Sequence, residues 1–306
     1  MPPSGIDLCA GGPRLSPVVV GAWRMHGWGW TAQQRLAWIE ACVDKGLTSF
    51  DHADIYGGYT VQALFGEALA LRPGLRQRLQ LVSKCGIQLV GDARPGVRVK
   101  SYDTSARHIR SSVEQSLRDL QTDWLDLLLI HRPDPLMAAD EVAACFEALV
   151  RDGLVRHVGV SNFSPAQFAL IDGALPSGLQ LVTNQIELHP MQLAALHDGT
   201  LDQLQGLKRR PMIWSPLAGG RLVQPGPGDE AAWRVHHALQ AVAQRHECSV
   251  ASAAYAWLLR HPSRPVPVIG SRRIEALDDA LAALQVRLDA QDWAQLWQAG
   301  AGHELP

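Results

Sequence analysis

Polar and aromatic side chains stand at the ends of several short apolar segments of this sequence. They are Asp51, Lys84, His131, Ser161, Asn162, Gln185, Trp214 and Ser215, and Tyr56 follows shortly after Asp51. Taken one at a time, each has a plain structural explanation, such as a buried ion pair, a hydrogen-bonded core histidine or an asparagine in a turn. Taken together, a carboxylate, a phenol, an ammonium and an imidazole predict a catalytic site.

Reduction of a carbonyl group suits these side chains, because it needs hydride at carbon and a proton at oxygen. A free tyrosine, with a pKa of about 10, holds its proton too tightly near neutral pH. A lysine ammonium about 4 Å away stabilises the phenolate by roughly 4 kcal/mol at an effective dielectric constant of about 20, and desolvation opposes this effect. Asp51 offers Lys84 a counter-charge, and His131 can donate a hydrogen bond to the carbonyl oxygen.

Apolar segments alternate with helical patterns, which explains how these residues could be brought together. The sequence predicts strands at residues 18–22, 48–50, 79–84, 124–130, 155–160, 181–186, 212–215 and 266–269. Eight strands alternating with eight helices predict an α/β fold, a closed (β/α)8 TIM barrel whose active residues lie at the carboxyl ends of the strands. An extra C-terminal helix is predicted around Trp293. An open doubly wound sheet is the alternative, but Gly27-Trp28-Gly29 lacks the third glycine of its usual phosphate turn.

Capping residues predict where four of the helices begin. The expected first positions are Thr31, Thr104, Ser164 and Thr200, and Gln34, Gln167 and Gln203 complete three capping boxes. In such a box, two side chains satisfy amide groups that the first turn of a helix leaves without partners.

Composition limits the classes of partner and compartment. Of 306 residues, 47% are apolar, and the net charge is −2 without a run of basic residues, so neither nucleic acid nor membrane partners are expected. The five cysteines form no C-x-x-C pair and the histidines lack ligand spacing, so no disulfide framework and no metal are expected. The start of the chain and the absence of a long apolar run predict a cytoplasmic protein. Since no clear linker interrupts the pattern, residues 1–306 are expected to form one domain.

Seven ordered motifs between about residues 15 and 284 resemble those of the aldo-keto reductase family. They are residues 50–57, 83–84, 125–131, 159–163, 184–187, 214–217 and 269–272. Residues 129–135, Leu-Ile-His-Arg-Pro-Asp-Pro, are most similar to the bacterial oxidoreductase branch of that family. The resemblance implies a reductase of aldehydes or ketones that uses NADPH and acts on a small-molecule carbonyl substrate.

The resemblance also implies roles for individual residues. Tyr56 would be the general acid, Lys84 the group that tunes its pKa, Asp51 the partner of the lysine and His131 the donor to the substrate oxygen. The implied cofactor-binding residues are Ala22, Trp23, Ser161, Asn162, Gln185, Trp214, Ser215, Leu217, Gly219, Gly270, Ser271 and Arg272. The last two are expected at the start of the last regular helix, whose dipole suits a phosphate. Arg272 can pair with a 2′-phosphate, which favours NADPH over NADH.

Two other functions stay open from the residues alone. Lys84 could form a Schiff base with a carbonyl substrate in a barrel lyase. Alternatively, the barrel could bind the cofactor as a redox-sensing or scaffold subunit with little turnover.

Two loops have uncertain surroundings. The tryptophans within residues 23–30 could wall an apolar pocket at the mouth of the barrel, or they could pack under the next helix. The loop at residues 90–104, which carries Arg94, Arg98 and Lys100, is expected to be solvated. Its alternative role is to steer an anionic substrate.

Overall fold

The computed structural model describes residues 5–305, and eight of its strands close into a parallel barrel. In chain order the strands are β1 (Ile6–Asp7), β2 (Arg14–Leu15), β3 (Val19–Gly21), β4 (Ser49–Asp51), β5 (Gln80–Cys85), β6 (Ile87–Gln88), β7 (Ser101–Tyr102), β8 (Leu127–Ile130), β9 (Val158–Ser161), β10 (Leu181–Glu187), β11 (Met212–Trp214) and β12 (Val266–Ile269). The order around the barrel is β10-β11-β12-β3-β4-β5-β8-β9. The predicted TIM-barrel fold is therefore confirmed.

Helices connect the barrel strands. They are α1 (Ala32–Asp44), α2 (Val61–Ala70), α3 (Ala106–Leu120), α4 (Ala139–Arg151), α5 (Pro165–Ala174), α6 (Thr200–Gly206), α7 (Glu230–Arg245), α8 (Val250–Leu259), α9 (Glu275–Ala283) and α10 (Ala290–Ala301). The helix α8 was not predicted, because its residues are almost all buried and its sequence lacks the apolar period of a surface helix. No helix within residues 5–305 is both long and apolar enough to cross a membrane.

The chain divides into two compact units, with the boundary in the sequence between Asn184 and Gln185. In the first unit, β3, β4, β5, β8 and β9 pair in this order as parallel neighbours. In the second unit, β11 pairs with β10 on one side and with β12 on the other. The residues of β4, β8, β9 and β12 are buried throughout, as expected for parallel strands covered on both faces. The expectation of one domain stays a prediction.

Two predicted capping boxes are confirmed, the start of α3 is wrong by one residue, and α6 begins at Thr200 as expected but without the predicted capping box. The confirmed boxes pair Thr31 with Gln34 in α1 and Ser164 with Gln167 in α5. Ser105, and not Thr104, caps α3 by accepting a hydrogen bond from the amide of His108. The N-cap of α6 is Gly199, which has a left-handed backbone and no side chain, so Thr200 already belongs to the helix.

The tryptophans that follow β3 pack mostly against α1. The ring centroid of Trp28 lies 4.8 Å from that of Trp30 and 4.9 Å from that of Trp38, which belongs to α1. Trp38 in turn lies 6.0 Å from Phe50 in β4. Packing under the next helix is therefore confirmed for Trp28, against which the ring of Trp30 lies, whereas Trp23 remains 54% exposed.

Candidate active site

The ammonium of Lys84 is the centre of a buried hydrogen-bond cluster in the first unit. Its Nζ atom donates to Asp51 Oδ2 at 2.6 Å, to the backbone oxygen of His52 at 2.8 Å and to the Tyr56 hydroxyl at 3.0 Å. An ammonium has three N–H groups, so these acceptors use all of them. Lys84 is only 1% exposed. A charge buried this deeply is tolerated because a carboxylate and two further acceptors surround it.

Adjacent parallel strands bring Asp51 and Lys84 together. Asp51 ends β4 and pairs in register with Val82 of β5, so Lys84 lies two residues closer to the carboxyl end of the barrel. Since side chains alternate along a strand, Val82 and Lys84 point to the same side. The turn after β4 is tied to β5 by a hydrogen bond of 3.0 Å from the amide of Asp54 to the backbone oxygen of Lys84.

The turn that carries Tyr56 has an unusual backbone. Gly57, Gly58 and Tyr59 have φ values of 60°, 65° and 72° in succession. Glycine adopts this left-handed conformation without a steric penalty, whereas a residue with a Cβ atom, such as Tyr59, loses roughly 1–2 kcal/mol. The turn brings the Tyr56 hydroxyl back to the end of β5, where it accepts the hydrogen bond from Lys84.

Burial and the charge of Lys84 act in opposite directions on Tyr56. Burial raises the pKa of Tyr56, the ammonium lowers it, and the net shift is upward. Burial by itself lowers the pKa of Lys84, but Asp51 and Tyr56 hold that pKa above its ordinary value. The argument from sequence favoured a lowered pKa for the phenol, and here desolvation is the larger effect. Tyr56 is therefore protonated and Lys84 charged at neutral pH.

His131 follows β8 and lies beside the same cluster. Its backbone amide donates to the carbonyl oxygen of Cys85 at 2.9 Å, which fixes it at the carboxyl end of β5. Its ring centroid lies 6.0 Å from that of Tyr56 at an interplanar angle of 76°. Burial, together with the positive charges of Lys84 and Arg132, holds the pKa of His131 well below its usual range. The neutral ring has one N–H group, which can serve as a hydrogen-bond donor.

Two buried titratable residues beside the cluster have environments that no sequence pattern indicated. Both ring nitrogens of His52 lack a hydrogen-bond partner, and its ring packs edge-on against Phe65 with centroids 4.5 Å apart. Burial lowers the pKa of His52 to about 3, so the ring is neutral. Burial raises the pKa of Asp54 to about 7, although the amide of Ile55 and the charge of Arg94 oppose this shift.

Four of the residues implied to hold the nicotinamide lie in the first unit. Asn162, whose φ is +64°, donates from Nδ2 to Ser161 Oγ at 2.8 Å and to the backbone oxygen of His131 at 3.2 Å. Ser161 is buried at the end of β9. Ala22 is fully buried directly after β3, and Trp23 follows it. Amide and hydroxyl groups thus lie next to His131, where a carboxamide could be bound.

Five more of the implied cofactor-binding residues lie in the second unit, in β10, at the end of β11 and in the loop that follows β11. Gln185 is buried in β10, and Trp214 ends β11 with its side chain partly exposed. Ser215, Leu217 and Gly219 form the loop that follows, with φ values of +50° at Ser215 and +71° at Gly219. Left-handed residues turn successive amide groups toward one side, which suits a pyrophosphate. The residue types therefore fit a nicotinamide dinucleotide.

The segment at Gly270, Ser271 and Arg272 differs from its prediction in one respect. The helix α9 begins only at Glu275, so Ser271 and Arg272 lie in the connection before it and not at its start. The hydroxyl of Ser271 accepts a hydrogen bond of 3.1 Å from the amide of Arg273. Because Glu275 adds a negative charge to the first turn, the exposed guanidinium of Arg272, and not the helix dipole, is the group suited to a phosphate.

With this geometry established, comparison with known proteins identifies the family. A model described as the aldo/keto reductase family matches residues 17–301. The chain belongs to this family. The resemblance in seven sequence motifs is therefore confirmed, and the match extends over nearly the whole barrel.

Relatives of this aldo/keto reductase cover its full length. Oxidoreductase YdhF of Escherichia coli K12 is 48% identical over 302 residues, which are 98% of this chain and 99% of the relative. A 6-dehydroglucose reductase of Agrobacterium fabrum is 44% identical over 292 residues, 95% of this chain and 96% of the relative. A Klebsiella pneumoniae aldo/keto reductase solved with NADP and acetate is 27% identical, with a TM-score of 0.74 over 95% of this chain and 93% of that one. The chain is an NAD(P)H-dependent oxidoreductase.

Proposed function

We propose that this aldo/keto reductase reduces aldehyde or ketone groups to alcohols with NADPH, and that Tyr56 is the general acid. The observation that carries the proposal is the contact of 3.0 Å between the buried Lys84 ammonium and the Tyr56 hydroxyl. This contact can stabilise the phenolate that remains after the proton has left.

When bound, a reduced nicotinamide would be the source of the hydride that the carbonyl carbon needs. Tyr56 transfers its proton to the carbonyl oxygen as negative charge develops there, so that hydride and proton together give the alcohol. Lys84 stabilises the phenolate, and Asp51 keeps Lys84 charged. The neutral ring of His131 donates a hydrogen bond to the same oxygen and orients it. Water returns the proton to Tyr56 after the alcohol has left.

The family resemblance assigns cofactor roles to residues of each unit taken by itself. In the first unit, Ser161 and Asn162 would bind the carboxamide, and Ala22 and Trp23 would border the nicotinamide ring. In the second unit, Gln185 would offer an amide to the carboxamide and Trp214 a flat face to the ring. Ser215, Leu217 and Gly219 would bind the pyrophosphate, and Gly270, Ser271 and Arg272 the adenosine phosphate. A guanidinium binds a phosphate with two parallel hydrogen bonds, which is the basis for preferring NADPH to NADH.

The name of the Agrobacterium relative suggests the class of substrate to test first. That protein is a 6-dehydroglucose reductase, and we propose that this chain also accepts small aldehydes. A panel would contain 6-dehydroglucose, a dicarbonyl, an aromatic aldehyde and a simple aliphatic aldehyde, with absorbance of the reduced nicotinamide as readout. We also propose that the protein is a single domain, that it acts in the cytoplasm and that it has no nucleic acid partner.

A Schiff-base mechanism at Lys84 has less support. A nucleophilic lysine must lose its proton, whereas Asp51 and Tyr56 hold the pKa of Lys84 above its ordinary value. All three of its N–H groups are also engaged. The other alternative is a cofactor-binding subunit with little turnover. Cofactor binding without measurable reduction of any compound in the panel would favour it.

The variant Tyr56→Phe tests the assignment of the acid. It removes the proton donor and keeps the ring, so kcat is expected to fall by about two orders of magnitude or more, the range of general acid catalysis. The Kd of NADPH, measured by fluorescence titration, is expected to stay within twofold. Tyr102→Phe, at a partly exposed tyrosine in β7, is the matched control. A Tyr56→Phe enzyme as fast as its parent would show that another group supplies the proton.

A further inference from the structure

A hairpin directly follows the strand that carries Lys84. The strands β6 and β7 pair antiparallel, with Ile87 opposite Tyr102 and Gln88 opposite Ser101. The loop between them contains Arg94, whose burial differs from that of the other charged residues of the loop. Arg94 is partly buried and its guanidinium carbon lies 5.1 Å from the ring centroid of Tyr59, whereas the nearby Arg98 is exposed.

Tyr59 connects this arginine to the turn of the catalytic tyrosine. The hydroxyl of Tyr59 accepts a hydrogen bond of 3.0 Å from the amide of Leu89, at the point where the chain leaves β6. Its backbone is the third left-handed residue after Tyr56. The backbone conformation and the hydroxyl hydrogen bond therefore fix the position of the Tyr59 ring. Arg94 can pack against the face of this ring through a cation–π interaction. Arg94 thus has a defined position relative to the turn of Tyr56.

The charge of Arg94 is not neutralised by a neighbour. Within residues 5–305, its guanidinium takes part in no ion pair and no hydrogen bond, and it lies over the ring of Tyr59. Burial raises the pKa of Asp54 to about 7, and the positive charge of Arg94 partly opposes this shift, so the charge is felt in the turn that precedes Tyr56. A guanidinium has its N–H donors in one plane, and a carboxylate or phosphate can accept them in pairs.

Side chains that are positively charged, as Arg94 is, surround His131. Lys100 at the end of the loop and Arg132 beside the histidine both lower the pKa of His131. Between residues 89 and 100 the sequence has Arg94, Arg98 and Lys100 against the single acid Asp92. An anion approaching the carboxyl end of this unit therefore meets an attractive field.

We propose that Arg94 determines specificity by binding an anionic group, a carboxylate or a phosphate, of the carbonyl substrate. The inference rests on the proposed function, because it assigns the substrate class of the same site. The substrate is thus an aldehyde or ketone with an acidic oxygen group, held by paired hydrogen bonds to the guanidinium on Tyr59. The loop at residues 90–104 was expected to be solvated. We assign a binding role to Arg94 alone among its charged residues.

Two substrate pairs that differ only in charge test this proposal. They are succinic semialdehyde against butanal, and glyceraldehyde 3-phosphate against glyceraldehyde. The wild-type enzyme is expected to show the higher kcat/KM for the anion of at least one pair. In Arg94→Gln that preference should fall by about tenfold or more, because charge-assisted hydrogen bonds are lost. Arg94→Lys should retain part of it. Arg98→Gln, which removes the same charge from the exposed loop, should retain nearly all.

The outcomes separate this inference from the proposed function. If the neutral aldehydes are reduced but neither anion is preferred, or if Arg94→Gln and Arg98→Gln lose the preference equally, the role of Arg94 is wrong and the reductase stands. If no compound of either pair, nor any in the wider panel, is reduced, the proposed function itself is wrong. The pair that responds to Arg94→Gln distinguishes a carboxylate from a phosphate.

Discussion

Replacing Asp51 by asparagine should leave the Lys84 ammonium buried without a counter-charge. The two side chains are 1% and 3% exposed, and their charged atoms lie 2.6 Å apart. Asparagine has nearly the same shape and can still accept a hydrogen bond. The substitution therefore isolates the charge of the carboxylate from its packing. We expect a less stable protein with a Lys84 that loses its proton easily.

The structure sets the size of this effect. At 2.6 Å and an effective dielectric constant of about 20, the attraction is at most about 6 kcal/mol. Removing one partner of a buried pair costs about 3–5 kcal/mol in other proteins, so Asp51→Asn should lower the free energy of unfolding by a similar amount at pH 7. The midpoint of thermal unfolding should fall by on the order of 10 °C.

The loss should also shrink as the pH rises. In the wild type, the pKa of Lys84 is above its ordinary value, so its stabilising contribution is complete below about pH 10.4 and disappears only as the pH rises through the folded-state pKa. In the variant, burial without Asp51 lowers that pKa. The unfolded state then binds more protons, and stability increases with pH up to about 10.4. Urea unfolding at pH 7 and 9.5, followed by circular dichroism, measures the difference between the two proteins.

One further variant decides whether charge burial is the cause. Lys84→Met with Asp51→Asn removes both charges, and this double variant should be more stable than Asp51→Asn alone. Both variants should lose most of their turnover. If Asp51→Asn unfolds at the same urea concentration as the double variant at both pH values, the reasoning from an unpaired ammonium is refuted.

Two other substitutions test the cofactor and the packing. Arg272→Ala should raise the Kd of NADPH by up to about tenfold and leave that of NADH nearly unchanged, because only NADPH has a 2′-phosphate; equal effects on both would remove this role. Gly66→Ala in α2 should lower the free energy of unfolding by about 1–3 kcal/mol, since its Cβ would lie 2.0 Å from the backbone oxygen of Asp119. Gly173→Ala in α5, where nothing lies within 4 Å, is the control that should be neutral or stabilising.

The barrel could be predicted because its strands are short, apolar and separated by amphipathic helices. Residues 127–130 are buried throughout in β8, and the continuous apolar run at that position indicated this. The hairpin of β6 and β7 could not be predicted in the same way. Each of its strands has only two residues, and β7 is exposed, so neither a period nor a turn motif distinguishes them from a loop.

The pairing of Asp51 with Lys84 could be predicted from their places in the sequence, but the direction of the pKa shift of Tyr56 could not. Asp51 and Lys84 lie at the carboxyl ends of neighbouring strands, so the fold brings them close to each other. Whether burial or the ammonium has the larger effect on Tyr56 depends on how completely the phenol is enclosed. Enclosure is a property of the whole surrounding structure, and it reverses the direction of the pKa shift that the pair alone suggests. The stacking of Arg94 on Tyr59 is equally a product of tertiary structure.

A raised pKa for Tyr56 agrees with a role as the acid in reduction. A phenol that keeps its proton at neutral pH is in the required state whenever a substrate arrives. The oxygen that receives the proton becomes far more basic as hydride reaches the neighbouring carbon, so the proton need not be acidic beforehand. In this proposal Lys84 would act mainly after the transfer, when its ammonium would face a phenolate across the contact of 3.0 Å. Burial thus keeps the phenol protonated in the resting enzyme, and the Lys84 ammonium would stabilise the phenolate that forms.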